Sequence, residues 1–241
     1  MSLPSQSYTR NLLLGAMPED DFATLQPHLV RIELNRNDVL FECNLPIEQT
    51  YFLESGVASI VSSEDGEQIE VGILGREGVS GIPVLLGADR TPHRAFMQVG
   101  PSTALRMEAG RLRDAANASE SLRTILLRFV QAFMVQTAQT ATASGNYSLP
   151  ERLARWLLMC HDRVDGDELE LTHDFMAMML AVRRSGVTVT LHTLEAAGAI
   201  RAMRGRVIVR DRKKLLAVAG DSYGRPEEEY RRLIGPFGKS I

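Results

Sequence analysis

The sequence predicts an α+β protein: a β-roll (jelly roll), then a long helix, then a helix pair closed by a short hairpin. Three observations predict it. Short β-like stretches with turn signals between them fill residues 29–108. No proline or glycine interrupts residues 119–144, where apolar residues step by three and four. From residue 172 a helix, a bend and a second helix lead straight into two basic strands.

Residues 11–30 read as helical, with Leu12, Leu13, Leu14, Phe22, Leu25 and Leu29 as apolar contacts. Strands follow at Val30–Leu34, Val39–Phe41, Gln49–Leu53, Val57–Val61, Gln68–Ile73, Ala95–Val99 and Ala104–Met107. Turn signals separate them, among them Glu54-Ser55-Gly56, Glu64-Asp65-Gly66 and Gly75-Arg76-Glu77-Gly78, the spacing of a sandwich or jelly roll. Leu122, Leu126, Phe129 and Phe133 then form a seam with the a/d rhythm. A helix of about 25 residues is roughly 38 Å long, more than one small domain covers. The seam is therefore expected to be a homodimer interface. Gly145-Asn146-Tyr147 should break this helix, and Ser148 with Glu151 should start the next as a capping box. Leu153, Trp156, Leu157 and Cys160 mark its buried face. The expected divisions are 1–118 (β-roll), 119–147 (long helix and hinge), 148–220 (helix pair and hairpin) and 221–241 (a tail of mixed charge with no function read from it).

Function concentrates between Thr172 and Arg210. Thr172 suits an N-cap and is also a candidate DNA contact, and Asp174 suits the first turn. Met176, Met179 and Leu180 bury the first helix, and Ala181-Val182 makes the bend. Val187, Leu191 and Leu194 bury the second, which Gly198 ends. That burial leaves Arg183, Arg184, Ser185, Thr188 and His192 outside, near the helix start, where a recognition helix meets bases and phosphates. The hairpin around Arg204-Gly205, with Arg204 and Arg206 at its tip, is a wing placed for backbone phosphates. From Thr172 to Lys214 nine basic residues face three acidic ones, a net +6, while the whole chain carries −3. A basic module on an acidic body suits docking on double-stranded DNA.

These parts, over residues 25 to 215, resemble the Crp/Fnr superfamily of bacterial transcription regulators. Tyr51 to Ala58 looks like a strand pair of that family, and Leu194-Glu195-Ala196-Ala197-Gly198-Ala199-Ile200 looks like the end of its helix-turn-helix. The resemblance implies a cyclic-nucleotide-binding-like β-roll, a dimerisation helix and a winged helix-turn-helix. It puts Arg184 on a guanine-reading arginine. The next two base-reading positions depart from the family, with Ser185 in place of glutamate and Val189 in place of arginine, so the operator should differ from the family's familiar one. It also implies an effector pocket at Gly81, Ile82, Arg94, Ala95 and Thr137. Arg94 matches the phosphate-binding arginine. Ile82 replaces the ribose-binding glutamate, Ala95 replaces a serine, and Pro83 removes a backbone donor. A ribose hydroxyl left unpaired costs about 1–3 kcal/mol, so cyclic AMP should bind weakly or not at all. An unknown small-molecule effector and RNA polymerase remain as candidate partners.

Composition narrows the alternatives. The chain has 241 residues, 44% hydrophobic and 24% charged, with no apolar run near the roughly 18 residues that span a membrane. The start lacks the marks of a signal peptide, and the only cysteines, Cys43 and Cys160, are expected as buried thiols in a cytoplasmic protein. Two cysteines are too few for an iron–sulfur cluster, and none of the five histidines stands in a metal or haem motif, so no cofactor and no metal site is expected. A cupin-type enzyme would need clustered histidines among the strands, where only His93 lies. No nucleophile or phosphate motif suggests catalysis. A sensor or scaffold whose helix-turn-helix binds protein is the other alternative, which the basic wing disfavours.

Overall fold

The computed structural model describes residues 3–64 and 67–239. The chain opens with α1 (Leu12–Gly15) and α2 (Glu19–Leu25). Strands β1 (Val30–Leu34), β2 (Val39–Phe41), β3 (Gln49–Leu53), β4 (Val57–Glu64) and β5 (Glu67–Leu74) follow, then the short α3 (Ile82–Leu85), β6 (Arg94–Val99) and β7 (Ser102–Glu108). They pair antiparallel into two sheets, β1-β7-β3 and β2-β6-β4-β5. Successive side chains along a strand face opposite sides. Along β4, Ala58 and Ile60 join the core inside the roll, whereas Val57 and Val61 join a second core outside it. Residues 65 and 66 of the turn expected at Glu64-Asp65-Gly66 lie outside the described residues.

Helix α4 (Ala109–Ala118) leads to α5 (Glu120–Asn146), where Ser119 Oγ accepts from Leu122 N at 3.2 Å. The seam expected at a dimer interface is instead inside the chain. Leu122, Leu126 and Phe129 are buried in the core of the roll, with Phe133 half-buried beside them. Gly72 makes room for this: a Cβ there would lie 2.7 Å from Phe133 Cζ. Periodicity reports that a face is buried, not by whose atoms, and the roll supplies the nearest apolar surface. The face of α5 left exposed runs Thr124, Leu127, Gln131, Met134, Ala138, Ala141 and Gly145, again in steps of three and four.

Other details depart from expectation. Residues 11–30 form two short helices and a 3-10 turn, because Pro18 and Pro27 interrupt them. Gly145 and Asn146 remain helical, and the chain turns extended only at Tyr147. Cys43 is exposed, whereas Cys160 is buried.

The C-terminal part contains α6 (Leu149–His161), β8 (Glu168–Leu169), α7 (His173–Met179), α8 (Arg184–Ala196), β9 (Ile200–Met203), β10 (Arg206–Val209), α9 (Arg212–Ala219) and α10 (Arg225–Leu233). Glu151 Oε2 accepts from Ser148 N at 2.8 Å, the expected start of α6. This part packs on the outer face of the four-stranded sheet, where Phe96 meets Phe175 edge to face and Phe175 meets Trp156. At the centre of the joint Trp156 Nε1 donates to Glu70 Oε1 at 2.6 Å. Ser59 Oγ lies 2.7 Å from Glu70 Oε2 and 2.6 Å from Gln98 Oε1. One hydroxyl hydrogen cannot serve two acceptors. Turning the amide of Gln98, whose Nε2 is buried and has no partner among the described residues, lets Nε2 donate to Ser59 and Ser59 to Glu70; the other arrangement that satisfies the count is a protonated Glu70 donating to Ser59, which then donates to Gln98. Burial favours that form and pushes the Glu70 carboxyl up to about 7, against the pull of its Ser59 and Trp156 hydrogen bonds and the Arg155 and Arg163 charges.

The tail, which the sequence left unread, completes the joint. Helix α10 lies along α5, and Tyr230 Oη donates to Glu77 O at 2.7 Å. Phe237 sits over the buried Arg163, whose Nε donates to Glu77 Oε1 at 2.8 Å. Desolvation opposes the charge on Arg163, and Glu77, Glu227 and Asp162 outweigh it, raising its pKa.

Candidate nucleic-acid interface

Helix α7 starts where Thr172 Oγ1 accepts from Phe175 N at 3.2 Å. It ends in a Schellman motif, with Ala181 N donating to Met178 O and Val182 N to Ala177 O. The residue at the left-handed position is Ala181, with φ +50°. Helix α8 ends in the same motif, with Gly198 at φ +71°. The bend is thus made where the sequence put it, by an alanine in a conformation that suits glycine.

Val187, Leu191 and Leu194 are 0%, 1% and 1% exposed and fix the rotation of α8. Arg183, Arg184, Ser185, Val189 and His192 are exposed on the free side, and Thr188 is half-buried. Thr188 Oγ1 donates to Arg184 O at 3.1 Å and lies 3.0 Å from His173 Nδ1, so its hydroxyl is engaged within the helix pair. Arg183 stands at the N-cap and its side chain does not cap the helix. The first amides of α8 and two guanidinium groups therefore share one end, an arrangement that attracts phosphate. Arg184 Nε lies 3.0 Å from Asp174 Oδ1, with both side chains well exposed. Such a surface pair is weak and exchanges readily for a phosphate or a guanine edge.

The wing is a three-stranded sheet in the order β8-β10-β9, of which the sequence revealed only β9 and β10. Gly205 turns it with φ +76°. Arg206, expected at the tip as a free phosphate contact, is paired with Glu168 of β8 at 2.9 Å. Two-residue strands carry too little pattern to be seen in sequence, and with β8 the pairing went unseen. Arg204 is exposed at the turn, and Arg201 and Arg210 are exposed on the adjoining strand and strand end. Lys213 and Lys214 are exposed on α9, two basic residues for which no local pattern marked a place at the interface.

The residues implied for an effector pocket lie at α3, β6 and α5 and differ in burial. Gly81, at φ +82°, precedes α3, and Ile82 is buried in the core. Ala95 is buried, but Arg94 alternates to the outer side of β6. There it pairs with Glu42 at 3.1 Å and lies over the Phe96 ring. Thr137 Oγ1 turns back onto its own helix, 2.9 Å from Met134 O and 3.1 Å from Phe133 O, and its one hydrogen serves one carbonyl or the other. A cyclic phosphate at Arg94 would have to displace Glu42 from this partly exposed pair.

Residues 31–119 match the cyclic nucleotide-binding domain family and residues 151–218 the Crp-like helix-turn-helix domain family. Sequence comparison with curated proteins finds no match. Solved structures share the fold over 80–81% of this chain. A transcriptional regulator of the CRP family from Thermus thermophilus aligns with TM-score 0.65 at 20% identity, covering 81% of this chain and 98% of that one. FixK2 from Bradyrhizobium japonicum aligns with TM-score 0.65 at 16% identity, covering 80% and 98%. The c-di-GMP-responsive global regulator CLP of Xanthomonas campestris aligns with TM-score 0.63 at 16% identity, covering 80% and 99%.

Proposed function

We propose that this chain, which belongs to the Crp/Fnr superfamily by its two domains, their order and its fold, is a sequence-specific DNA-binding transcription regulator acting as a homodimer. The observation that carries the proposal is the rotation of α8. Burial of Val187, Leu191 and Leu194 leaves Arg183, Arg184 and Ser185 exposed at the helix end that would enter a major groove, with His192 about two turns further along the same side. Arg184 would grip guanine O6 and N7, and Arg204 and the uncapped amides of α8 would hold phosphates.

Two copies would pair along the exposed α5 stripe from Thr124 to Gly145. Leu127 and Met134 supply its apolar bulk, and Ala138, Ala141 and Gly145 allow close approach near the hinge. Such a pair presents two α8 helices to half-sites about one DNA turn, near 34 Å, apart in a pseudo-palindromic operator. Pairing of Arg94 with Glu42 and burial of Ile82 support regulation without cyclic AMP. Titration calorimetry should then detect no micromolar binding of cyclic AMP.

Selection of bound duplexes from a random pool tests the proposal. The expected outcome is a pseudo-palindromic set whose affinity falls steeply with salt as counterions return to the phosphates. A folded dimer that binds no duplex at low salt would refute it.

A further inference from the structure

Val189 is 67% exposed, in the middle of the face formed by Ser185, Thr188 and His192. It belongs to neither apolar core. The fold gains nothing from it there: a β-branched residue is a weaker helix former than alanine or lysine, and its methyls are left in water. The hydroxyls around it do not soften this apolar spot. Thr188, Thr190 and Thr193 each donate to the carbonyl four residues back, on Arg184, Gly186 and Val189. The centre of the exposed face therefore offers an isopropyl group, with polar groups at Ser185 and Arg184 on one side and His192 on the other.

A base edge facing that isopropyl group must be apolar, since a ring nitrogen, carbonyl or amino group pressed against it would lose its hydrogen bond to water. In the major groove the apolar group of unmodified DNA is the C5-methyl of thymine. Resting on the DNA-binding reading above, we infer that Val189 is a specificity-determining residue that reads a thymine methyl. Residues 184 and 189 are separated by a rise of about 7.5 Å along the helix, so the thymine should lie about two base pairs from the guanine read by Arg184.

The test uses the full-length protein and duplexes selected from a random pool. Thymine should be enriched at that position in each half-site. Replacing it with deoxyuridine removes the methyl alone and should weaken binding about fourfold per half-site, the worth of one buried methyl. Cytosine and 5-methylcytosine at the same position should differ by a similar factor, since the added methyl is the same. In Val189→Ser, an exposed change that leaves both cores intact, both differences should shrink below twofold. No thymine preference, no loss with deoxyuridine, a methylcytosine gain without a thymine loss, or a loss that persists in Val189→Ser would each overturn the inference while DNA binding stands. Failure to select any duplex would overturn both readings together.

Discussion

Replacing Glu70 with glutamine should make the protein more stable at alkaline pH and leave it unchanged in acid. Glu70 joins the roll to the C-terminal part through Trp156, and burial raises its carboxyl from an ordinary 4.5 to about 7. Below the unfolded value the group is protonated in both states and costs nothing. As pH rises from about 4.5 to 7 the unfolded chain releases the proton and the folded chain keeps it, so stability falls. Above about 7 the folded form ionises too and the loss is complete. The interval is worth about 3 kcal/mol. Glutamine is neutral throughout, can accept from Trp156, and gives Ser59 the hydrogen that protonated Glu70 supplies. Glu70→Gln should therefore match the wild type near pH 4.5 and exceed it by about 3 kcal/mol at pH 8. Urea unfolding followed by the fluorescence of Trp156, the only tryptophan, measures both directly. Taking the difference between variants cancels other titrating groups. A difference that does not change between the two pH values, or a variant less stable than wild type at pH 8, would refute the argument.

Two further perturbations follow from the geometry. Ala138→Glu places a charge on the exposed α5 stripe. If two copies pair there as proposed, burying it unpaired costs about 3–5 kcal/mol, so the dissociation constant of that pair should rise by about a hundredfold or more in sedimentation equilibrium while circular dichroism stays unchanged. An unaltered dimer would move the interface elsewhere. Ala181→Gly relieves a left-handed alanine and should raise stability by about 1 kcal/mol in thermal or urea unfolding. A destabilised variant would mean that the bend does not strain this residue.

Much of this molecule is written in local patterns. The strands of the roll, the buried triplet Val187, Leu191 and Leu194, and the hairpin around Arg204-Gly205 all follow from period and turn chemistry. What a pattern omits is the identity of the partner surface. Leu122, Leu126 and Phe129 had the right rhythm for a dimer seam, but the roll lay closer in the fold and took them. Arg206 looked free because Glu168 approaches it from a two-residue strand almost forty positions earlier. Glu70 carried no local signal at all, since its partners Ser59 and Trp156 come from another strand and from α6. Tail residues 221–239 were opaque for the same reason. Their mixed charge gave no reading, yet Glu227, Tyr230 and Phe237 are buried.

The proposed function turns on the N-terminal end of α8 reading base edges. It is tested most directly by measuring Arg184→Ala and Arg204→Ala on a selected duplex and on a scrambled one across a range of salt. Arg184→Ala should lose about 1–3 kcal/mol on the selected duplex and little of that on the scrambled one, whereas Arg204→Ala should weaken both alike and lower the salt slope by about one. Equal losses on both duplexes from Arg184→Ala would contradict the account.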